Sequence, residues 1–388
     1  MERRIPRLSA WLGALLALVA VPAMAQPAVG VGVGAPRESF EIAVPRAPAP
    51  TPVEGRRQLV YEAHLTNFTP DPLVVSRVRI ADADTGATLA VFAGEALVQR
   101  LAAVPAVAGD ATTVASGRRA IVFIELDLAS GDRPRGLIHE ITYATTDGAA
   151  FVVVGPRVPI DPRPPVVLGP PLAGGPWVAV HHPSWARGHR RVVYTVDGGA
   201  RIPGRFAVDF VRVDPRGRTT RGDPDRAADA LGHGDAVLAV ADAVVAATRD
   251  DMTESPVISR NPKHRFGDAT GNYLALALPG GQVVFYEHLK PGSVKVRPGD
   301  HVRRGQVIGA LGFSGDTTGP HLHFHVASAN APLGAEGLPF AFDRFTLMGR
   351  YDDLGALGKQ IWTPVAPGLD RARADEWPGS NVVLRFAD

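Results

Sequence analysis

The sequence predicts a mainly β protein whose N-terminal part is a β sandwich. Two observations carry this. Gly 42 and Pro 35 together make about a fifth of the 388 residues, high for a helical protein but below the range of disordered chains. Short β-rich runs also alternate with turn clusters along the first half of the chain. Apolar residues at 45% and charged residues at 21% suit a packed interior, and the length accommodates two domains.

The elements follow in chain order. Residues 1–25 read as an export signal: Arg3, Arg4 and Arg7 precede an apolar stretch over 8–21, and Ala23-Met24-Ala25 offers a small-x-small cleavage site. That stretch is too short to span a bilayer, which takes ~20 residues, so no membrane span is expected after cleavage. Residues 26–56 read as a Pro/Ala-rich linker with one strand near 40–44. The sandwich is expected over 57–158, from runs at 59–65, 73–80, 89–92, 119–126 and 137–144, with turn clusters at 82–86 and 130–134. His64 and His139 stand alone there and read as structural. A second Pro-rich linker is expected over 159–175, then a second domain over 176–345 and an irregular C-terminal extension over 346–388.

Charge and cysteine content narrow the function. The formal charge is +2, and three arginines and one glutamate fall in the signal, so the mature chain is near neutral. With no long basic run, nucleic acid is not an expected partner. The absence of cysteine excludes disulfides, Cys-ligated zinc, iron–sulfur clusters and thiol nucleophiles. It also excludes a lipid-anchored cysteine after the cleavage site, and an exported chain without cysteine fits a bacterial envelope.

Ten of the twelve histidines lie between His181 and His325. In the run Gly319-Pro320-His321-Leu322-His323-Phe324-His325-Val326, strand alternation puts His321, His323 and His325 on one face and Leu322, Phe324 and Val326 on the other. Three imidazoles on one face suit a metal. Residues 205–211 read as a strand with Phe206, Val208 and Phe210 on an apolar face. Asp209 points the other way and needs a partner, either Arg205 or a metal ion. Strands are also expected at 271–276 and 283–289, followed by strand, turn and strand over 294–309 and a loop over 312–320.

The segments GNYLALALPGGQVVFYEHL and VRPGDHVRRGQVIGALGFSGDTTGPHLHFHV, following the Asp209 strand, resemble the lysostaphin/LytM-type zinc endopeptidases of bacterial cell walls. The resemblance covers roughly 176–326 and is most specific over 271–326. It implies a C-terminal antiparallel β core of the LytM peptidase type, with a groove and one zinc (Zn2+) per chain. Asp209 and His323 match metal ligands of the family, and His288 and His321 match its catalytic histidines, one of them the general base.

One departure stands out. The family's first ligand precedes the aspartate by four residues, where this chain has Arg205. A guanidinium offers no lone pair to a metal. His189 is the first candidate for the third ligand, from a β-rich run before the Asp209 strand and from similarity to a branch of the family with an upstream histidine. His233, in the flexible Gly232-His233-Gly234, and His181 and His182 stay open. Arg205 is expected to pair with Asp209 or with a substrate carboxylate. His325 stands where the family often has Glu and is expected in a supporting or groove role. His264 and His301 fall in polar loops.

The resemblance implies a periplasmic or cell-envelope endopeptidase that cuts peptide cross-links or stems of peptidoglycan, with a D-Ala–diaminopimelate link as its expected target. Arg205 supports a different class: a degenerate module that binds wall peptides or activates a separate amidase. A third reading makes the sandwich an adhesion or secretion factor with the second domain as its support. Metal content separates the first two.

Overall fold

The computed structural model describes residues 39–104, 109–185 and 188–388. The export signal expected at 1–25, and the start of the 26–56 segment, lie outside the described residues.

Two antiparallel sheets face each other in the N-terminal part. One contains Phe40–Ala43, Pro50–Val53, Arg56–Asn67, Arg119–Leu128 and Leu101–Val104. The other is built from Ala150–Val154, Gly136–Ala144, Leu73–Asp82 and Thr88–Ala93, with two short strands at its edges. Alternation explains the pairing: in Gly136–Ala144, Ile138, Glu140, Thr142 and Ala144 are only half-buried, whereas Leu137, His139, Ile141 and Tyr143 are buried. These side chains meet Leu59, Tyr61, Ala63 and Leu65 from the facing sheet in one hydrophobic core. Full burial of each large apolar side chain contributes about 1.5–3 kcal/mol.

Arg56–Asn67 departs from simple alternation, because its other face is buried too. Val60 joins the core of the second part, and Glu62 and His64 are buried beside it. Ile121 and Phe123 of the paired strand likewise pack on Ile202. The first sheet is therefore covered on both sides, and Ser39–Asp388 cluster as a single unit.

The second part is organised by one long antiparallel sheet. Its order runs His301–Val302, Ala243–Arg249, Asn272–Ala277, Val283–Leu289, Leu322–Ala327, Val208–Arg212, Trp177–Val180, Val382–Arg385, Phe345–Arg350 and Thr363–Pro364. The expected mainly β architecture, a sandwich followed by an antiparallel β core, is what the chain adopts. Phe210, Phe324, Phe342 and Phe386 form an edge-to-face and tilted aromatic cluster in its interior.

Four expectations are corrected. Among the described residues, 39–55 contain two strands rather than one, because Pro50–Val53 turns back on Arg56–Asn67 through Glu54 and Gly55, both with positive φ. The 159–175 segment is not a free spacer: Val166–Leu168 pairs in parallel with Phe340–Phe342, and Leu168 and Leu172 are fully buried. Residues 346–388 are not an irregular extension. Val382, Val383 and Leu384 are buried between two strands, which satisfies a backbone that the surrounding Pro/Gly-rich sequence disguises. Residues 205–211 are not one strand either. A 3-10 turn over Pro203–Phe206 precedes Val208–Arg212.

Candidate metal centre

Three neighbouring strands supply the platform. Asp209 lies directly opposite His323 in the pairing of Val208–Arg212 with Leu322–Ala327, and His323 lies opposite Glu287 in the next strand. The expected alternation holds in the histidine run. Leu322, Phe324 and Val326 are fully buried in the core, and His321, His323 and His325 share the opposite face.

His288 reaches the same face by a different route. Strict alternation would send it with Tyr286 into the core. The register slips between Asn272 and Leu274, so Glu287 and His288 oppose one partner residue, and His288 adopts φ +63. This bulge turns its imidazole toward the site. The backbone there is further held by His288 N donating to Thr270 O at 3.0 Å.

His189 arrives from outside the sheet. It was expected on a β-rich run, but it opens a 3-10 turn over His189–Arg191. Gly188 at φ +91 and His189 at φ +43 lie outside strand geometry, which rules out an extended neighbour. His189 Nε2 nevertheless lies 3.0 Å from Asp209 Oδ2. His323 Nδ1 is 2.8 Å and His321 Nε2 is 3.3 Å from Asp209 Oδ1. One carboxylate thus faces three imidazoles. Burial would raise the Asp209 pKa, but His189 and His321 outweigh it and hold the carboxyl well below its usual range.

Donor atoms of His189, Asp209 and His323 lie within 4.8 Å of one another, as do those of His288, His321 and His323. Two imidazoles and one carboxylate from three separate elements form a donor set that suits zinc and leaves a fourth position free. The residues present therefore fit such an ion.

The two remaining histidines are fixed at Nδ1. That atom of His288 is 2.8 Å from Ser314 O, and that of His321 is 2.8 Å from Gly319 O. A carbonyl only accepts, so both Nδ1 atoms carry a proton. In neutral His288 this leaves Nε2 as an acceptor, whereas Nε2 of His321 faces Asp209 Oδ1 at 3.3 Å, and Asp209 outweighs burial to raise the His321 pKa. Burial, reinforced by His321 and His323, pushes the His288 pKa well down. A cleft of about 360 Å³ opens over this group, with Trp185, Tyr194 and Leu333 among its walls.

The other candidates lie elsewhere. His233 is bonded to Glu254 at 2.6 Å. His181 contacts Pro378 O at 2.9 Å and stacks on Trp377. His182 pairs with Ser184. His301 is exposed, and His264 rests against Asp316. His325 is buried beneath the site, stacked on Phe285, with its Nδ1 3.7 Å from Glu287 Oε1. The pairing expected between Arg205 and Asp209 is corrected. The 3-10 turn carries Arg205 away from Asp209, and its buried guanidinium binds Glu62 at 2.7 Å and Glu336 at 2.8 Å.

Sequence reasoning missed Glu287, Ser314 and Glu62. Glu287 precedes His288 and is buried, which raises its pKa well above the usual range, with Asp209 adding to the effect. An ionisable residue inside an otherwise apolar strand was the available signal. A backbone carbonyl such as that of Ser314 leaves no mark in sequence.

Residues 227–334 match the family described as Peptidase family M23. His288, His321 and His323 lie inside the matched stretch, and His189 and Asp209 lie before it. The peptidoglycan DD-endopeptidases ShyB and ShyC of Vibrio cholerae are 42% identical over 65 residues and 39% identical over 62 residues. Those stretches cover 17% and 16% of this chain but only 15% and 14% of the relatives. The catalytic domain of the prophage-encoded M23 protein EnpA from Enterococcus faecalis is similar at 17% identity and a TM-score of 0.26, covering 44% of this chain and 92% of that domain. A score that low adds nothing to the sequence match.

Proposed function

Since residues 227–334 are a Peptidase family M23 domain, we propose that this chain is a zinc-dependent endopeptidase of the bacterial cell envelope that cuts peptide cross-links or stems of peptidoglycan. Its target is the link between D-Ala and diaminopimelate, and its place is the periplasm, reached by the export signal at 1–25. One observation carries the reading: while Arg205 is engaged by Glu62 and Glu336, His189 stands 3.0 Å from Asp209. Together with His323 it completes a set of three donors.

His189, Asp209 and His323 would hold the ion, which would supply Lewis-acid polarisation of the scissile carbonyl and acidification of water. His288 and His321 divide the proton work. Each has Nδ1 committed to a carbonyl, and the Nε2 of His321 lies 3.3 Å from Asp209 Oδ1. One Nε2 accepts the proton of the attacking water. The other ring, when protonated, hydrogen-bonds the oxyanion, and the first ring delivers the water's proton to the leaving amine as the C–N bond breaks. Fixing both rings through Nδ1 removes the need to reorient them as charge develops.

The alternative of a degenerate wall-binding or amidase-activating module drew its support from Arg205. Arg205 is engaged by Glu62 and Glu336, so it neither fills nor blocks the position beside Asp209. The test is to purify the full chain, measure its zinc, and incubate it with cross-linked peptidoglycan. About one zinc per chain and release of uncross-linked peptides support the reading. A chain without zinc that leaves peptidoglycan intact overturns it.

A further inference from the structure

Of the three donors, Asp209 and His323 stand on paired strands, whereas His189 stands on a short turn with no sheet partner. What holds that turn comes largely from the sandwich. Arg190, the next residue, is 5% exposed and sends its guanidinium into the first sheet. Its Nε donates to Glu62 Oε1 at 2.8 Å, and one terminal nitrogen donates to Tyr61 O and Ile124 O, both at 2.7 Å. The other terminal nitrogen reaches Glu125 at 3.2 Å. Arg191 adds a bond to Gln99 O.

The far side of His189 is braced by the turn Pro203–Phe206. A Cβ on Gly204 would lie 2.7 Å from the His189 Cα, so only glycine lets the two turns touch. The residue after Gly204 is Arg205, which donates to the second oxygen, Glu62 Oε2. Glu62 thus grips both turns, each by a separate oxygen, and it is 3% exposed. Charge-assisted bonds of this kind between planar groups fix direction as well as distance.

We propose that Glu62 of the sandwich is a positioning residue for the metal donor His189, acting through Arg190 and Arg205. This deepens the function proposed above and rests on it. The sandwich is then a working part of the metal centre, and Arg205, four residues before Asp209, serves the site as a strut. Supporting groups behind a metal ligand are worth about 10–100-fold in affinity.

The experiment measures zinc affinity of the full-length chain by competition with a chromogenic chelator, with folding followed by circular dichroism. Glu62→Gln and Arg190→Gln are expected to weaken zinc at least about tenfold. Glu54→Gln serves as the control, because it breaks another ion pair across the same two parts, with Arg350, away from His189. It should stay within about twofold of the parent, a small change on the scale of supporting groups. Should Glu62→Gln fail to fold, Arg190→Lys replaces it. It keeps a charge beside Glu62 but loses the forked contacts, and its affinity should fall between the parent and Arg190→Gln. Parental affinity in the Glu62 and Arg190 variants, or equal weakening in Glu54→Gln, overturns the positioning role and leaves the proposed function standing. A parent chain that binds no zinc overturns both.

Discussion

His189 and Asp209 meet at 3.0 Å although one belongs to an isolated turn and the other to the middle of a long sheet. Their contact makes a specific demand on zinc binding. Because loss of a mere supporting group costs about 10–100-fold in affinity, loss of the donor itself in His189→Ala should cost at least ~100-fold. His233→Ala should bind zinc like the parent, since His233 is committed to Glu254. Zinc titration of the two variants checks this, and the reverse ranking would remove His189 from the centre.

The Nδ1 bonds of His288 and His321 predict a separation of binding from turnover. His288→Ala should keep its zinc and lose about 10²–10⁴-fold in hydrolysis, the usual range for a proton-transfer group. His323→Ala should lose both. Metal analysis beside a peptide-release assay decides the matter, and equal zinc loss in the two variants would contradict the division of roles.

A third prediction concerns acid stability. His139 lies in the sandwich core with Nε2 2.9 Å from the Tyr61 hydroxyl, and burial lowers its pKa from about 6.5 to about 4. Below pH 6.5 the unfolded chain takes up a proton that the folded chain refuses, so stability falls as pH drops through the window from 6.5 to 4. Between pH 7 and 4.5 the parent should lose on the order of 2 kcal/mol more than His139→Gln. Urea unfolding of both at the two pH values measures the difference, and parallel losses would count against it.

The C-terminal strand gives the fourth. Leu384 is fully buried in the core that also contains Phe210 and Phe342. Leu384→Ala should cost about 2–5 kcal/mol of unfolding free energy. A change under about 0.5 kcal/mol, typical of surface positions, would mean that this strand is not part of the core.

Much of this was readable beforehand, because period-two patterns are local. Leu322, Phe324 and Val326 against His321, His323 and His325 needed only alternation. Asp209 stood out as a carboxylate in an apolar run. The rest depends on distant partners or on backbone irregularity. Arg205 finds Glu62 across 143 positions and Glu336 across 131, which no window of sequence connects. The bulge that turns His288 around is set by where Asn272 and Leu289 pair. His189 reached the predicted partner by an unpredicted path, since its positive φ ends any strand at that point. The strand Val382–Arg385 was hidden because the Pro/Gly-rich segment before it masked the buried run.

That same strand has a consequence for biogenesis. Val382–Arg385 lies between Trp177–Val180 and Phe345–Arg350, and Trp177–Val180 flanks the strand bearing Asp209. A ribosome must therefore polymerise through residue 385 before this β sheet has all its members. Nascent chains stalled short of that point carry His189, Asp209, His288, His321 and His323 but lack the strand that pairs with Trp177–Val180, the neighbour of the Asp209 strand.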